Sequence, residues 1–397
     1  MEERLRVGLL NDSFPPTIDG VAQVMKNYAS ILQRDFCDVT VATPAYKGVR
    51  DEYPFSVVRY PSIPVGKKIG YRVGNCFAPS VVRELRGRNL QLLHVHAPFI
   101  SSTLAAVANP GHRAPVVLTY HTKFEIDIRK SAGNIPLGVP VSTAYVRHNL
   151  YAADEVWTVS SGCEASLRAM GYDGPFRVME NGTDFPPGRS PQAEIDALRE
   201  KYAIRPEDFV FLFVGRMRWY KNLRMVLDAL RILRAQGMPV RAFMIGDGYD
   251  LPAIREYAAQ IGMANQVTFT GPIRDRAYLR VFYCLADLFL FPSTYDTCGI
   301  VVKEAAAVGC PSLMIRGSCA AEGAIDGENA YLCEENAQDC VATLLRVCAD
   351  RAGIAAVGQK ANQTLYLSWD EAVARAYGRY REIIEGWNGP RQRKDGD

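Results

Sequence analysis

Pro292-Ser-Thr-Tyr-Asp-Thr-Cys-Gly-Ile-Val-Val-Lys-Glu-Ala-Ala-Ala-Val-Gly-Cys-Pro311 follows directly on Asp287-Leu-Phe-Leu-Phe291. The apolar run before it has the length and continuity of a parallel strand buried on both faces. Thr294 to Cys298 is polar and turn-like, Gly299 to Val308 suits a helix, and Gly309 followed by Pro311 stops it. The segment therefore reads strand, loop, helix. Its loop stands at the carboxyl end of a strand, where open parallel sheets bind ligands.

Two acids bracket the loop. Asp296 lies in it, and Glu304 lies about one turn into the helix. The free backbone N–H groups at the helix start, around Cys298, Gly299, Ile300 and Val301, form a site favourable to phosphate. Helical side chains tilt toward the N-terminus, so Glu304 can reach past those amides. A carboxylate beside phosphate is repelled by it, but it accepts hydrogen bonds from sugar hydroxyls on either side. The pattern suits a sugar–diphosphate–ribose–base ligand. Taken singly, Asp296 also fits a turn or N-cap residue and Glu304 a solvated helix residue.

The segment resembles the Glu-x7-Glu signature of retaining glycosyltransferases of family 4. There, Pro-Ser-x-x-Glu-x-x-Gly is followed by Glu-Ala-x-Ala-x-Gly-x-Pro. Pro292, Ser293, Gly299, Glu304, Ala305, Ala307, Gly309 and Pro311 match in order, and Asp296 stands in place of the first Glu, one methylene shorter. The resemblance implies the GT-B fold: an α/β protein of two Rossmann-like domains facing across a cleft, with a C-terminal helix crossing back to the first. It also implies transfer of a hexose from a nucleotide sugar with retention, by front-face attack, with no cofactor and no metal.

Composition agrees with two soluble domains. The chain has 397 residues, 48% hydrophobic and 22% charged, with a net charge of +3 that argues neither for nor against nucleic acid. Ten cysteines form no C-x-x-C pair, which argues against structural zinc, and Cys284, Cys310, Cys340 and Cys348 read as small buried hydrophobes. The N-terminus is charged and no apolar run nears a membrane span. The expected location is the cytoplasm, as a peripheral protein on the inner face of the plasma membrane at most.

In the N-terminal half, Arg4 to Asn11 reads as a strand, Phe14 to Gly20 as a loop, and the next stretch to about Gln33 as a helix. That helix would bury Val21, Val24, Tyr28, Ile31 and Leu32. The G-x-G-x-x-G dinucleotide fingerprint is absent. Where family 4 has two adjacent glycines, this chain has Asp19-Gly20, so Gly20 carries half of that donor-binding feature. Further strands are expected at Cys37–Ala42, Phe55–Tyr60, Leu92–His96, Val116–Tyr120, Glu155–Ser160 and Phe176–Met179.

His121 directly follows a strand, and the resemblance places it facing the donor sugar. Thr119-Tyr-His-Thr122 is similar to the version in enzymes that glycosylate lipids. His94, His96, His112 and His148 read as structural. Lys67 to Arg88 interleaves Lys67, Lys68, Arg72, Arg83, Arg86 and Arg88 with Ile69, Tyr71, Val73, Phe77, Val81, Val82 and Leu85. It suits docking on anionic lipid, and a solvated basic face fits it equally. Lys123 to Val141 is irregular and Gly/Pro-containing, the composition of a lid or acceptor loop.

In the C-terminal half, the expected strand Phe209–Val214 runs into Gly215-Arg216-Met-Arg-Trp-Tyr-Lys221-Asn222, with Asn222 as helix N-cap. This resembles the family's Gly-Arg-x-x-x-x-Lys-Asn element, whose cations hold the donor diphosphate. Gly246-Asp-Gly248 ends the next strand, and Gly215 and Gly246 would let backbone approach the donor. The expected domains are 1–187, joined by a terminal helix at about 373–388, and 188–372, with 389–397 a disordered tail. Arg216, Lys221, His121 and Asp296 are the candidate catalytic residues, with Glu304 on the ribose. The expected activity is hexosyl transfer from a UDP-glucose or GDP-mannose type donor to a membrane lipid such as diacylglycerol. A soluble acceptor and a GT-B sugar-nucleotide 2-epimerase are the alternatives.

Overall fold

The computed structural model describes residues 4–17, 19–64, 72–132 and 135–389. The chain separates into two compact units, Met1–Asn181 with Trp369–Asp397, and Gly182–Ser368. The first crossing lies ahead of the expected position at residue 187. The reason is that Phe185 is buried in the core of the second unit and the Thr183 amide donates to Leu367 O there (2.9 Å). Residues 390–397 of the expected tail lie outside the described residues.

Unit 1 is built on β1 (Leu5–Leu10), β2 (Cys37–Pro44), β3 (Ser56–Tyr60), the short β4 (Ser62–Pro64) and β5 (Arg72–Gly74), then β6 (Leu92–Val95), β7 (Val116–Tyr120), β8 (Glu155–Thr158) and β9 (Arg177–Val178). The main sheet is parallel in the order β3-β2-β1-β6-β7-β8-β9, while β4 and β5 form a separate antiparallel pair. Sequence order reverses direction at β1, which makes the β1/β6 boundary a topological switch point. The helix Gly20–Ile31 packs Val24, Met25 and Tyr28 inward, and Val21 is only half-buried. The terminal helix Trp369–Glu385 belongs to this unit. It buries Trp369, Val373, Ala376 and Tyr380, and Tyr380 stacks on Trp157 at 5.5 Å.

Two expectations for this unit change. Lys67 to Tyr71 lie outside the described residues. In the remainder, Val81, Val82 and Leu85 are core side chains of the helix Pro79–Gly87. Arg72 donates to Ser62 (2.6 and 2.7 Å), Arg86 to Val107 O (2.8 Å), and Arg88 to Ser56 and Glu84. The alternation there was largely the inward face of a helix; exposed apolar area remains at Ile63, Val73 and Phe77. The stretch 123–141 is mostly helical rather than irregular, with helices Phe124–Ala132 and Gly138–Ala152. Ile135, Leu137 and Val141 stand exposed at their junction.

Unit 2 contains β10 (Phe209–Val214), β11 (Val240–Ile245), β12 (Val267–Gly271), β13 (Leu288–Phe291), β14 (Ser312–Ile315) and β15 (Tyr331–Cys333) in one parallel sheet ordered β12-β11-β10-β13-β14-β15. All side chains of β10 and β13 are buried, as their unbroken apolar runs require. The chain steps outward from β10 to β12, then returns to the other side of β10 as β13. The β10 and β13 carboxyl ends thus lie side by side at a switch point. No helix among the described residues is long and apolar enough to cross a membrane. None of the ten cysteines forms a disulfide, and Cys348 is half-buried rather than buried.

Candidate active site

The loop after β10 carries Gly215, Arg216 and, through a short 3-10 turn at Trp219–Lys221, the cation Lys221. Arg216 is exposed, and among the described residues it has no hydrogen-bond or ion-pair partner. Lys221 is the opposite case: only 6% exposed, its Nζ lies 2.6 Å from Asp296 Oδ1, also bonds Oδ2, and sits 5.4 Å from the Phe291 ring. A buried ammonium needs a counter-ion, and Asp296 supplies it.

Asn222 stands at the expected N-cap position but does not cap through its side chain. It adopts a left-handed conformation (φ 58°) with no capping bond, and its side chain donates to Pro292 O (2.9 Å) and Glu335 (2.7 Å). It therefore ties the β10 loop to the end of β13. Gly246 explains itself on structural grounds. Its φ is +139°, and a Cβ there would lie 1.9 Å from Gly215 O. The β10 and β11 turns pack backbone to backbone, which needs glycine whatever binds nearby.

The helix after β13 spans Ile300–Ala307 with Gly299 at its N-cap. The Val302 and Lys303 amides bond Gly299 O, whereas those of Ile300 and Val301 have no acceptor among the described residues. Cys298, half-buried, precedes them. Glu304 is 4% exposed and its carboxylate is shared: Arg276 Nη2 donates to Oε1 (2.6 Å) and Tyr283 Oη to Oε2 (2.7 Å). Burial raises the Glu304 pKa above the usual carboxylate range, and Arg276 and Tyr283 oppose it. Arg276 in turn forks onto Asp184 and lies 4.4 Å over the Phe185 ring. Sequence reasoning missed Arg276 and Tyr283. Their signal was their spacing of seven on the helix Arg276–Leu285, which puts both on one face.

Gly20 and His121 belong to unit 1. Gly20 opens its helix, with Asp19 accepting from the Ala22 amide (2.7 Å) as N-cap. His121 follows β7 and faces His96, Nε2 to Nδ1, at 2.9 Å. His94 and His96, expected to be merely structural, form a buried trio with it. His94 bonds Tyr380 and Thr119, and its ring lies 4.0 Å from that of His96. The signal lay in strand register: β6 and β7 are neighbours, so histidines at both carboxyl ends converge. Burial lowers the pKa of all three, His121 to about 3. Asp12, after β1, is half-buried, accepts from the Ser101 amide (2.9 Å), and is raised to about 7 by loss of water.

These shifts set a pH dependence. The three imidazoles are neutral in the fold but take up protons in the unfolded chain below about pH 6.5, so stability falls as pH drops through that value. Asp12 acts oppositely, because it is protonated in the fold up to about 7. Three groups outweigh one. Thermal unfolding should show a loss of roughly 2–3 kcal/mol between pH 7 and pH 5, and an unchanged melting temperature over that span would contradict the neutral trio.

Comparison with known proteins follows the same division. Residues 18–185 match the family described as Glycosyltransferase Family 4, and residues 194–364 the family Glycosyl transferases group 1. The alpha-monoglucosyldiacylglycerol synthase of Acholeplasma laidlawii is 24% identical over 342 residues, 84% of this chain and 85% of that enzyme. A D-inositol 3-phosphate glycosyltransferase of Mycobacterium marinum is 26% identical, covering 76% and 66%. Among solved structures, Anabaena Alr3699/HepE in complex with UDP superposes with a TM-score of 0.75 at 19% identity, over 96% of this chain and all of that one. Sucrose-phosphate synthase of Thermosynechococcus elongatus gives 0.76 at 18% identity, over 97% and 100%.

Proposed function

Because the chain belongs to the GT-B glycosyltransferases with a family 4 domain followed by a group 1 domain, we propose that it moves a hexose from a nucleoside-diphosphate sugar to a membrane lipid, with retention and without a metal. The carrying observation is the switch point of unit 2. There the β10 loop supplies Arg216 and Lys221, and the β13 loop leads to the unpartnered amides of Ile300 and Val301. As the C1–O bond breaks, its electron pair passes to the leaving diphosphate, and these groups stabilise the charge. The acceptor hydroxyl bonds C1 on the same face and gives its proton to the departing phosphate. Lys221 shifts its pairing from Asp296 to phosphate, which releases Asp296 to accept from the hexose. Glu304 accepts from the ribose, and His121 is assigned to the sugar side of the donor.

UDP in a solved relative supports the donor class, and the diacylglycerol named in the Acholeplasma relative supports the acceptor. Exposed Ile63, Val73, Phe77, Ile135, Leu137 and Val141 on unit 1 offer apolar contact to a lipid surface, with the basic stretch 67–88 adding charge and a peripheral, cytoplasmic-face location. The test is incubation with UDP-glucose or GDP-mannose and anionic vesicles with or without diacylglycerol. Glycolipid is expected only when diacylglycerol is present. Conversion of donor alone to its 2-epimer, or transfer only to a soluble sugar, would overturn the lipid reading.

A further inference from the structure

Glu304 is a carboxylate enclosed at the edge of a phosphate-binding loop. Two forces push it toward protonation: loss of water on burial, and the second carboxylate, Asp184, held by the same guanidinium. A protonated Glu304 would spend one oxygen as a donor and could no longer take two hydroxyls. Opposing that are one cation and one phenol. Arg276 divides its Nη2 between the two acids, adds Nε to Asp184 at 2.9 Å, and lies over Phe185. Its position is thereby fixed from three sides. Arg276 and Tyr283 each occupy a different oxygen of Glu304. A carboxylate offers about four acceptor positions, so one remains on each oxygen, as two adjacent hydroxyls require.

We propose that Arg276 is a positioning residue of the donor site: clamped by Asp184 and Phe185, it holds the Glu304 carboxylate ionised and oriented to accept both hydroxyls of the nucleotide ribose. This rests on the donor-site reading of unit 2. The groups facing Glu304 are Arg276 and Tyr283 from the helix Arg276–Leu285 and Asp184 from the segment entering unit 2. With Arg276 gone, only Tyr283 opposes burial and Asp184. Glu304 is then pushed further toward its protonated form.

The test is calorimetric binding of UDP and GDP to wild type, Arg276→Gln and Arg276→Lys from pH 6 to pH 9. The ratio of variant to wild-type Kd cancels the titration of the phosphates themselves. For Arg276→Gln this ratio is expected to be about tenfold larger at pH 6 than at pH 9, the equivalent of one pKa unit. Arg276→Lys, which keeps the charge, is expected to restore a flat profile. The 2′,3′-dideoxy nucleotide, lacking the hydroxyls, is expected to remove the pH dependence. A loss of affinity in Arg276→Gln that is equal at every pH, or no loss, would overturn the assignment while wild-type binding stands. Failure of the wild type to bind either nucleotide would overturn the donor-site reading and this inference with it.

Discussion

Replacing Lys221 with alanine is expected to lower kcat/KM for the nucleotide sugar by about a thousandfold, near the top of the range for removing one preorganised transition-state charge. The ammonium is placed before substrate arrives: nearly buried, against Phe291, and balanced by Asp296. No solvent need reorganise when the diphosphate leaves. The same substitution strands Asp296, 26% exposed at its side chain, so it also costs stability, on the order of 1–2 kcal/mol given that partial exposure. A double variant with Asp296→Asn separates the two effects. Thermal unfolding should recover much of the stability and assays none of the activity. Activity returning in the double variant would remove Lys221 from the chemistry.

Gly246→Ala is expected to be the most damaging single methyl in unit 2. The new Cβ meets Gly215 O at 1.9 Å, a backbone atom that cannot turn aside, and φ of +139° is strained for any side chain. About 4 kcal/mol of destabilisation follows from steric overlap added to backbone strain. By comparison Gly20→Ala, with open space around the added atom at the start of a helix, should change stability by about 1 kcal/mol or less. Thermal denaturation of both variants checks the contrast. Equal melting temperatures would mean that the β10 and β11 turns separate more readily than their packing shows.

The fold was readable because buried parallel strands announce themselves. Phe209–Val214 and Val116–Tyr120 have the bounds their apolar runs suggest, and the terminal helix follows its own periodicity. The placement of Arg216, Lys221 and Asp296 in the loops after β10 and β13, and of Glu304 in the helix that follows, was legible too, because each loop is bounded by a buried strand. Sequence could not reveal what a side chain meets across the fold. Arg276 reaches Glu304 from another helix, and His94 and His96 meet His121 only through sheet register. The stretch 67–88 was legible only in part: alternating charge and apolarity describes a half-buried helix as well as a membrane-facing one, and Val81, Val82 and Leu85 are core. Asn222 holds the cap position without a side-chain capping bond, because capping depends on backbone conformation as well as residue type, and its side chain goes to Pro292 O and Glu335 instead.

The helix Trp369–Glu385 has a consequence for how the molecule is made. It supplies Tyr380 to Trp157 and His94, and Arg379 to Glu155 at 3.0 Å, all within unit 1. During synthesis, unit 2 emerges whole and can close on itself. The unit translated first must wait with an apolar seam open until Trp369–Glu385 leaves the ribosome.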